Sequence, residues 1–180
     1  MTLFAPLLLF GATADSQTVR PLNTGDTLPE LRGEFLNGKP AVLPQAASGR
    51  PALLLLGFTY DSRVAVETWA ARFREQYKSA GDSVTFYEIP MIGGMARMGK
   101  WFIDSGMRKG TPKQDWEHVI TVYGGVSSWK TRTGFRDPKA AYLILMDGAG
   151  KIVWRHSDSG FDEQAFASMR DAIDKLRRPH

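Results

Sequence analysis

A three-layer α/β domain is the architecture that this sequence predicts, on three observations. The run Ala52-Leu53-Leu54-Leu55-Leu56-Gly57-Phe58 is continuously apolar and bounded by turns, the pattern of a central strand buried on both faces. Helical and strand periodicities alternate after it. A hairpin signal and one last amphipathic helix close the chain. With 180 residues the chain has the size of one domain. Folding at that length buries roughly 70% of the extended surface, so neither a metal nor a disulfide is needed for stability.

The elements follow in order. Residues Met1–Ala14 hold an apolar run, Leu3 to Gly11, ended by Ala12-Thr13-Ala14. This fits the small-x-small cleavage pattern of an export signal, here without a basic residue ahead of it. The alternative is a first strand or hydrophobic flap. About nine apolar residues do not span a hydrocarbon core that needs roughly 20, and no second segment is long enough. The expected organisation is a signal remnant over 1–14 and a single domain over 15–180. Asp15–Arg50 carries the turn signals Gly25-Asp26, Asn37-Gly38-Lys39-Pro40 and Ser48-Gly49 and suits short hairpin strands, with Ala41-Val42-Leu43 the best of them.

After the central strand, Asp61 or Ser62 is placed to cap a helix in which Val66, Trp69, Phe73 and Tyr77 recur at spacings of three and four. Ser83–Pro90 alternates and is β-branched or aromatic, which predicts a strand. A helix over about Met95–Met107 ends at Gly110-Thr111-Pro112. Val119–Tyr123 reads as a short strand, and Ser127–Thr133 as a short helix with Gly134 as its left-handed cap. Ala141–Met146 and Lys151–Trp154 flank Asp147-Gly148-Ala149-Gly150, a hairpin. Asp162 caps the final helix, Phe161 and Phe166 form a hydrophobic staple, and Phe166, Met169, Ile173 and Leu176 make its buried stripe. The closing hairpin and helix narrow the three-layer domain to the thioredoxin-like arrangement, a central mixed sheet with a C-terminal helix.

Composition limits the chemistry. The chain has no cysteine, which excludes thiol nucleophiles, thiolate metal sites, iron–sulfur clusters and thiol redox cycling. In a thioredoxin-like fold the redox centre sits at the N-terminus of the helix after the first central strand. That turn reads Gly57-Phe58-Thr59-Tyr60-Asp61-Ser62-Arg63-Val64-Ala65. Its opening resembles the copper-binding assembly factors of cytochrome oxidase, whose pattern looks like G-F-T-x-C-x-x-x-C. On that likeness Asp61 and Ala65 stand at the two cysteine positions and Lys139 at the later histidine, so copper binding does not carry over. Peroxiredoxins have a similar F-T-x-x-C opening, with Ser62 at the cysteine. Thioredoxins place a cis-proline before the hairpin strand, where this chain has Ala140 or Ala141, with Pro138 earlier. Tyr60, Asp61, Ser62 and Arg63 thus form a degenerate redox-site turn, and no catalytic or metal-binding residue is assigned.

The stretches Ala52–Trp69 and Ala141–Trp154 are similar to the mitochondrial ATP synthase assembly factor family, a cysteine-poor thioredoxin-like group. So are Trp101-Phe102-Ile103 in the intervening helix and the Ser157–Gly160 segment before the acidic helix start Asp162-Glu163. That family's arginine before the last tryptophan is Val153 here. The resemblance implies a non-catalytic protein that binds another protein and helps to mature a membrane complex.

Other motifs are closed quickly. Gly148-Ala149-Gly150 lies in a hairpin and lacks a third glycine at Val153, so it is no dinucleotide site. His118, His156 and His180 are scattered, and His156 is expected to pair with Asp158. The formal charge is +4, and Arg97 to Lys139 holds nine Lys/Arg against four Asp/Glu. The segment has no dense basic run or base-stacking motif, so nucleic acid is not the expected partner. Trp69 and Trp154 are expected in the core. Trp116 and Trp129 lie among Lys, Asp and Ser; they read either as core residues or, where exposed, as a candidate partner-binding surface with Lys130, Arg132 and Arg136. The leading expectation is a cofactor-free, exported protein that binds another, possibly membrane-associated, protein, with a cytoplasmic or organellar site as the alternative. The alternatives from other classes are a redoxin-superfamily oxidoreductase working without thiols and a structural accessory subunit of an envelope complex.

Overall fold

The computed structural model describes residues 19–79, 81–94 and 99–177. The leader reading of Met1–Ala14, the start of the helix expected from Met95, and His180 lie outside the described residues. Strands are β1 (Leu31–Phe35), β2 (Pro40–Leu43), β3 (Ala52–Gly57), β4 (Thr85–Pro90), β5 (Ile120–Thr121), β6 (Ala141–Met146) and β7 (Ile152–Asp158). Helices are α1 (Arg63–Tyr77), α2 (Lys100–Gly110), α3 (Val126–Thr133) and α4 (Glu163–Arg177).

The central sheet has the order β4-β3-β6-β7. β3 runs parallel to β4 and antiparallel to β6, and β6 pairs antiparallel with β7. All six residues of β3 are buried because both faces of the sheet are covered. Leu53 and Leu55 point into a cluster with Trp69 and Phe73 of α1 and Phe166, Met169 and Ile173 of α4. Leu54 and Leu56 point the other way, onto Leu31, Leu43, Tyr142 and Trp129. Each such leucine contributes about 1.5–3 kcal/mol by leaving water. β5 is short and belongs to a second sheet, β2-β1-β5. Its flanks touch the central sheet through parallel bridges, Glu88 to Val119 and Met91 to Val122.

The β6–β7 turn is built as its residues dictate. The Asp147 carboxylate accepts the N–H groups of Ala149 and Lys151 at 2.9 and 2.8 Å. A Cβ on Gly148 would stand 2.0 Å from the Gly49 carbonyl oxygen, so only glycine allows this loop to approach. At α4, Asp162 accepts the Gln164 and Ala165 N–H groups at 2.8 and 3.0 Å, and the Phe161 and Phe166 rings are 5.4 Å apart. The Ala165 N–H holds the Asp162 carboxyl below the usual aspartate range. Its contribution is therefore present at neutral pH and lost as pH falls through the lowered folded value. Asp162→Ala should lower the denaturant midpoint at pH 7 and converge on the wild type in strong acid. Equal deficits at both pH values would dismiss the cap.

The structure corrects several expectations. Ser62 occupies the cap position of α1 in helical conformation and makes no capping bond, while Asp61 is exposed. The Ser62 hydroxyl turns inward instead and donates to the Thr59 carbonyl at 2.8 Å. Trp129 is only 5% exposed and packs in the core, because the face of α3 that carries it lies against the sheet. His156 has Asp162, not Asp158, as its acidic neighbour, at 4.0 Å. Trp69 is fully buried, whereas Trp154 and Leu176 are half-buried.

Candidate functional site: a groove beside the turn from β3 to α1

β3 ends at Gly57, and the chain turns through Thr59–Arg63 into α1. A Cβ on Gly57 would lie 2.7 Å from the Ser62 oxygen and 3.2 Å from Val66, so the bare glycine lets the turn fold down onto the strand end. Ser62 is buried in consequence. The Thr59 hydroxyl donates to the Pro138 carbonyl, which ties the loop before β6 to this turn. The positions where the copper-binding family has ligands are thus an exposed Asp61, an Ala65 buried in the α1–α4 core and an exposed Lys139. No sulfur, imidazole or converging acid remains there.

α2 is fastened by polar contacts. Asp104 is buried and receives Lys100 at 2.5 Å and the Tyr123 hydroxyl at 2.6 Å. Lys100 also reaches Glu34 at 3.2 Å, and Arg108 donates to the Leu36 carbonyl at 2.6 Å. Lys100, Asp104 and Arg108 recur every four residues and so share one helix face. A flanking face, Phe102, Ile103 and Met107, lines a groove of about 470 Å³ shared with α1. Gly106, with open space where a Cβ would stand, keeps it wide.

The groove runs from Thr59, Tyr60, Ser62 and Arg63 at the turn, past Val66 and Glu67 of α1, to Glu88 and Pro90 of β4. Arg63 stacks over the Tyr60 ring at 5.4 Å and pairs with Glu67 at 3.4 Å. The Glu88 side chain is 19% exposed, and Arg74 reaches one of its oxygens at 3.5 Å. Burial pushes the Glu88 carboxyl up to about 7, Arg74 opposes the shift, and Glu67 and Asp115 add to it. Of the groove residues, Tyr60 is 80% and Phe102 76% exposed; Trp101, 71% exposed, packs its ring on Phe102 at 5.0 Å, and Val64 of α1 is 67% exposed. Apart from Val19 these are all the exposed large hydrophobics among the described residues.

Of the residues singled out in the sequence, the structure brings Tyr60, Ser62 and Arg63 to the groove, with Asp61 beside them. The surface expected around Trp116 and Trp129 is not assembled as such. Trp116 sits on the 3₁₀ turn Lys113–His118, half-buried, its indole N–H on the Thr111 carbonyl at 2.9 Å. On α3, Lys130 covers the Phe135 ring at 4.3 Å and Arg132 covers Trp129 at 5.6 Å, while Arg136 is exposed. Sequence reasoning used Trp101 and Phe102 only for a family resemblance, not as site residues, and passed over Glu88. An acid inside an otherwise β-branched and aromatic strand was the available signal for Glu88.

No family model and no curated protein matches the sequence. Solved structures do match in shape. The thioredoxin domain of a thiol-disulfide oxidoreductase from Bacteroides vulgatus has a TM-score of 0.56 at 18% identity, over 84% of this chain and 99% of that one. A thiol peroxidase from Chromobacterium violaceum gives 0.56 at 14% over 88% and 90%. BsSco, described as a member of the Sco family of cytochrome c oxidase assembly proteins, gives 0.59 at 11% over 89% and 99%. The chain is similar to all three, and the class they define with the sheet order above is the thioredoxin fold. In this chain the turn between β3 and α1 holds no thiol. No helix among the described residues is long and apolar enough to cross a membrane.

Proposed function

We propose that this chain is a non-catalytic thioredoxin-fold protein that binds another protein, as an assembly factor or chaperone for a membrane complex. The observation that carries the reading is that exposed Tyr60 and Phe102 line one groove, with exposed Trp101 packed on Phe102 at 5.0 Å, beside a turn that holds no thiol. Scattered apolar residues are normal on a surface, whereas a contiguous patch marks an interaction site. Tryptophan and tyrosine are also the side chains that dominate binding energy when a partner covers them. The assembly role is supported by the likeness to the ATP synthase assembly factor family and by the description of BsSco. The apolar run of residues 3–11 supports an exported location.

The test is affinity purification from the native membrane fraction with the wild type and with Trp101→Ala/Phe102→Ala. The expected result is a membrane-complex subunit or precursor retained by the wild type and lost with the double variant, whose fold is unchanged because both side chains are exposed. Insulin reduction or peroxide consumption by the purified chain would reject the non-catalytic reading.

The cations of α3 and of the segment after it offer a second, electrostatic contact. Reversing Lys130, Arg132 and Arg136 together should weaken partner binding at low salt and matter little at high salt, since exposed charges are screened within about 8–10 Å at physiological ionic strength. Identical affinities at every ionic strength would return them to a solvated surface.

A further inference from the structure

We propose that the α1–α2 groove takes a segment of the partner chain that carries apolar side chains and one basic residue, the apolar groups lying on Phe102, Ile103 and Met107 and the cation on Glu88. The proposal rests on the protein-binding reading above and specifies what that partner presents. Two features of the groove lead to it. Its α2 wall is apolar and rimmed by exposed aromatics, which suits aliphatic side chains. Its floor holds a carboxyl group that is largely removed from water and met on one oxygen only, at 3.5 Å, by an arginine that also lies over the Phe86 ring at 5.2 Å. A buried carboxylate with so little compensation is a costly group to keep. It becomes favourable when a second donor reaches it in a site closed from solvent.

Three acids, Glu67, Glu88 and Asp115, stand against two cations, Arg63 and Arg74, along this wall. Arg63 is engaged by Glu67 and Arg74 by Glu88, while Asp115 adds a further negative charge felt at Glu88. The charge that complements the groove is therefore positive. A lysine or arginine flanked by aliphatic residues supplies it together with the surface that Phe102 and Met107 lack.

Two synthetic peptides test this, one of leucine, alanine and a single lysine, the other identical but with norleucine for lysine. Binding is read by calorimetry and by amide shifts of groove residues in the full chain. The wild type should bind the lysine peptide roughly tenfold or more tighter than the norleucine peptide, the worth of a charged hydrogen bond at a shielded site. Glu88→Gln should erase that preference while still binding both, and Met107→Glu should weaken both. Equal binding of the two peptides by the wild type would overturn the cation site and leave the apolar docking reading standing. A lysine preference that persists in Glu88→Gln would overturn it as well. If neither peptide binds but phosphatidylglycerol vesicles sediment the protein through Trp101 and Phe102, the occupant is a membrane surface and the proposal is wrong. A partner captured from the native fraction that lacks such a segment at its contact would also defeat it, while upholding protein binding itself.

Discussion

Glu88→Gln should make the protein more stable at pH 8 and leave it nearly unchanged at pH 5. The wild-type carboxyl is raised from an ordinary 4.5 to about 7, chiefly by burial. Below 4.5 both folded and unfolded chains hold the proton, and the group brings no penalty. Between 4.5 and 7 the unfolded chain releases its proton while the folded chain keeps it, so stability falls as pH rises. Above 7 the charge sits in the folded groove and the loss is complete, about 3 kcal/mol at 1.36 kcal/mol per unit. Glutamine keeps the shape and cannot ionise, and Arg74 is exposed enough to stay hydrated without its partner. Denaturant midpoints of both proteins at pH 5 and pH 8 decide the matter. Parallel pH profiles would show that Glu88 ionises freely in the folded state.

Asp104→Ala should release α2. Asp104 accepts both Lys100 and the Tyr123 hydroxyl while itself buried, and hydrogen bonds to a charged group are worth about 1.5–3 kcal/mol. Burial and the Asp104 carboxylate push the Tyr123 hydroxyl well above its ordinary range, so this tyrosine stays a donor at every working pH. The variant leaves that donor without its acceptor, which adds to the cost. The loss should be local. Amide exchange in 100–110 should speed up, and the titration of Tyr123 should move back toward an ordinary tyrosine, while β3 and β6 keep their protection. Uniform loss of protection across the sheet would mean that α2 is part of the cooperative core.

The elements that were legible in the sequence are those whose signals are local. Leu53–Leu56 are apolar on both faces whatever surrounds them, and the Asp147–Gly150 turn and Asp162 cap contain their own partners. Partnerships and orientations set by distant contacts were not legible, even where the element itself was. β5 pairs with β1 through Glu34–Thr121 and Phe35–Ile120, a register that no periodicity announces. Ser62 looks like a cap and points inward because Gly57 leaves space for it. Trp129 is surrounded in sequence by Ser and Lys, yet α3 turns it onto Leu54 and Tyr142 in one core cluster. Conversely, Trp101 and Phe102 resemble core residues of an amphipathic helix. They stay exposed because α2 spends its inward face on Lys100, Asp104 and Arg108.

The turn Thr59–Arg63 also sets the lifetime of whatever it touches. A redoxin that keeps its thiols can hold a client as a mixed disulfide, and release then waits for a second thiolate or an external reductant. Asp61 and Ser62 can form no such bond, so a partner held in the groove as proposed would leave at the rate its non-covalent contacts dictate, in oxidising and reducing surroundings alike. Its residence would then be tuned by side chains such as Phe102 and Glu88, and the glutathione poise of the compartment would have no hold on it.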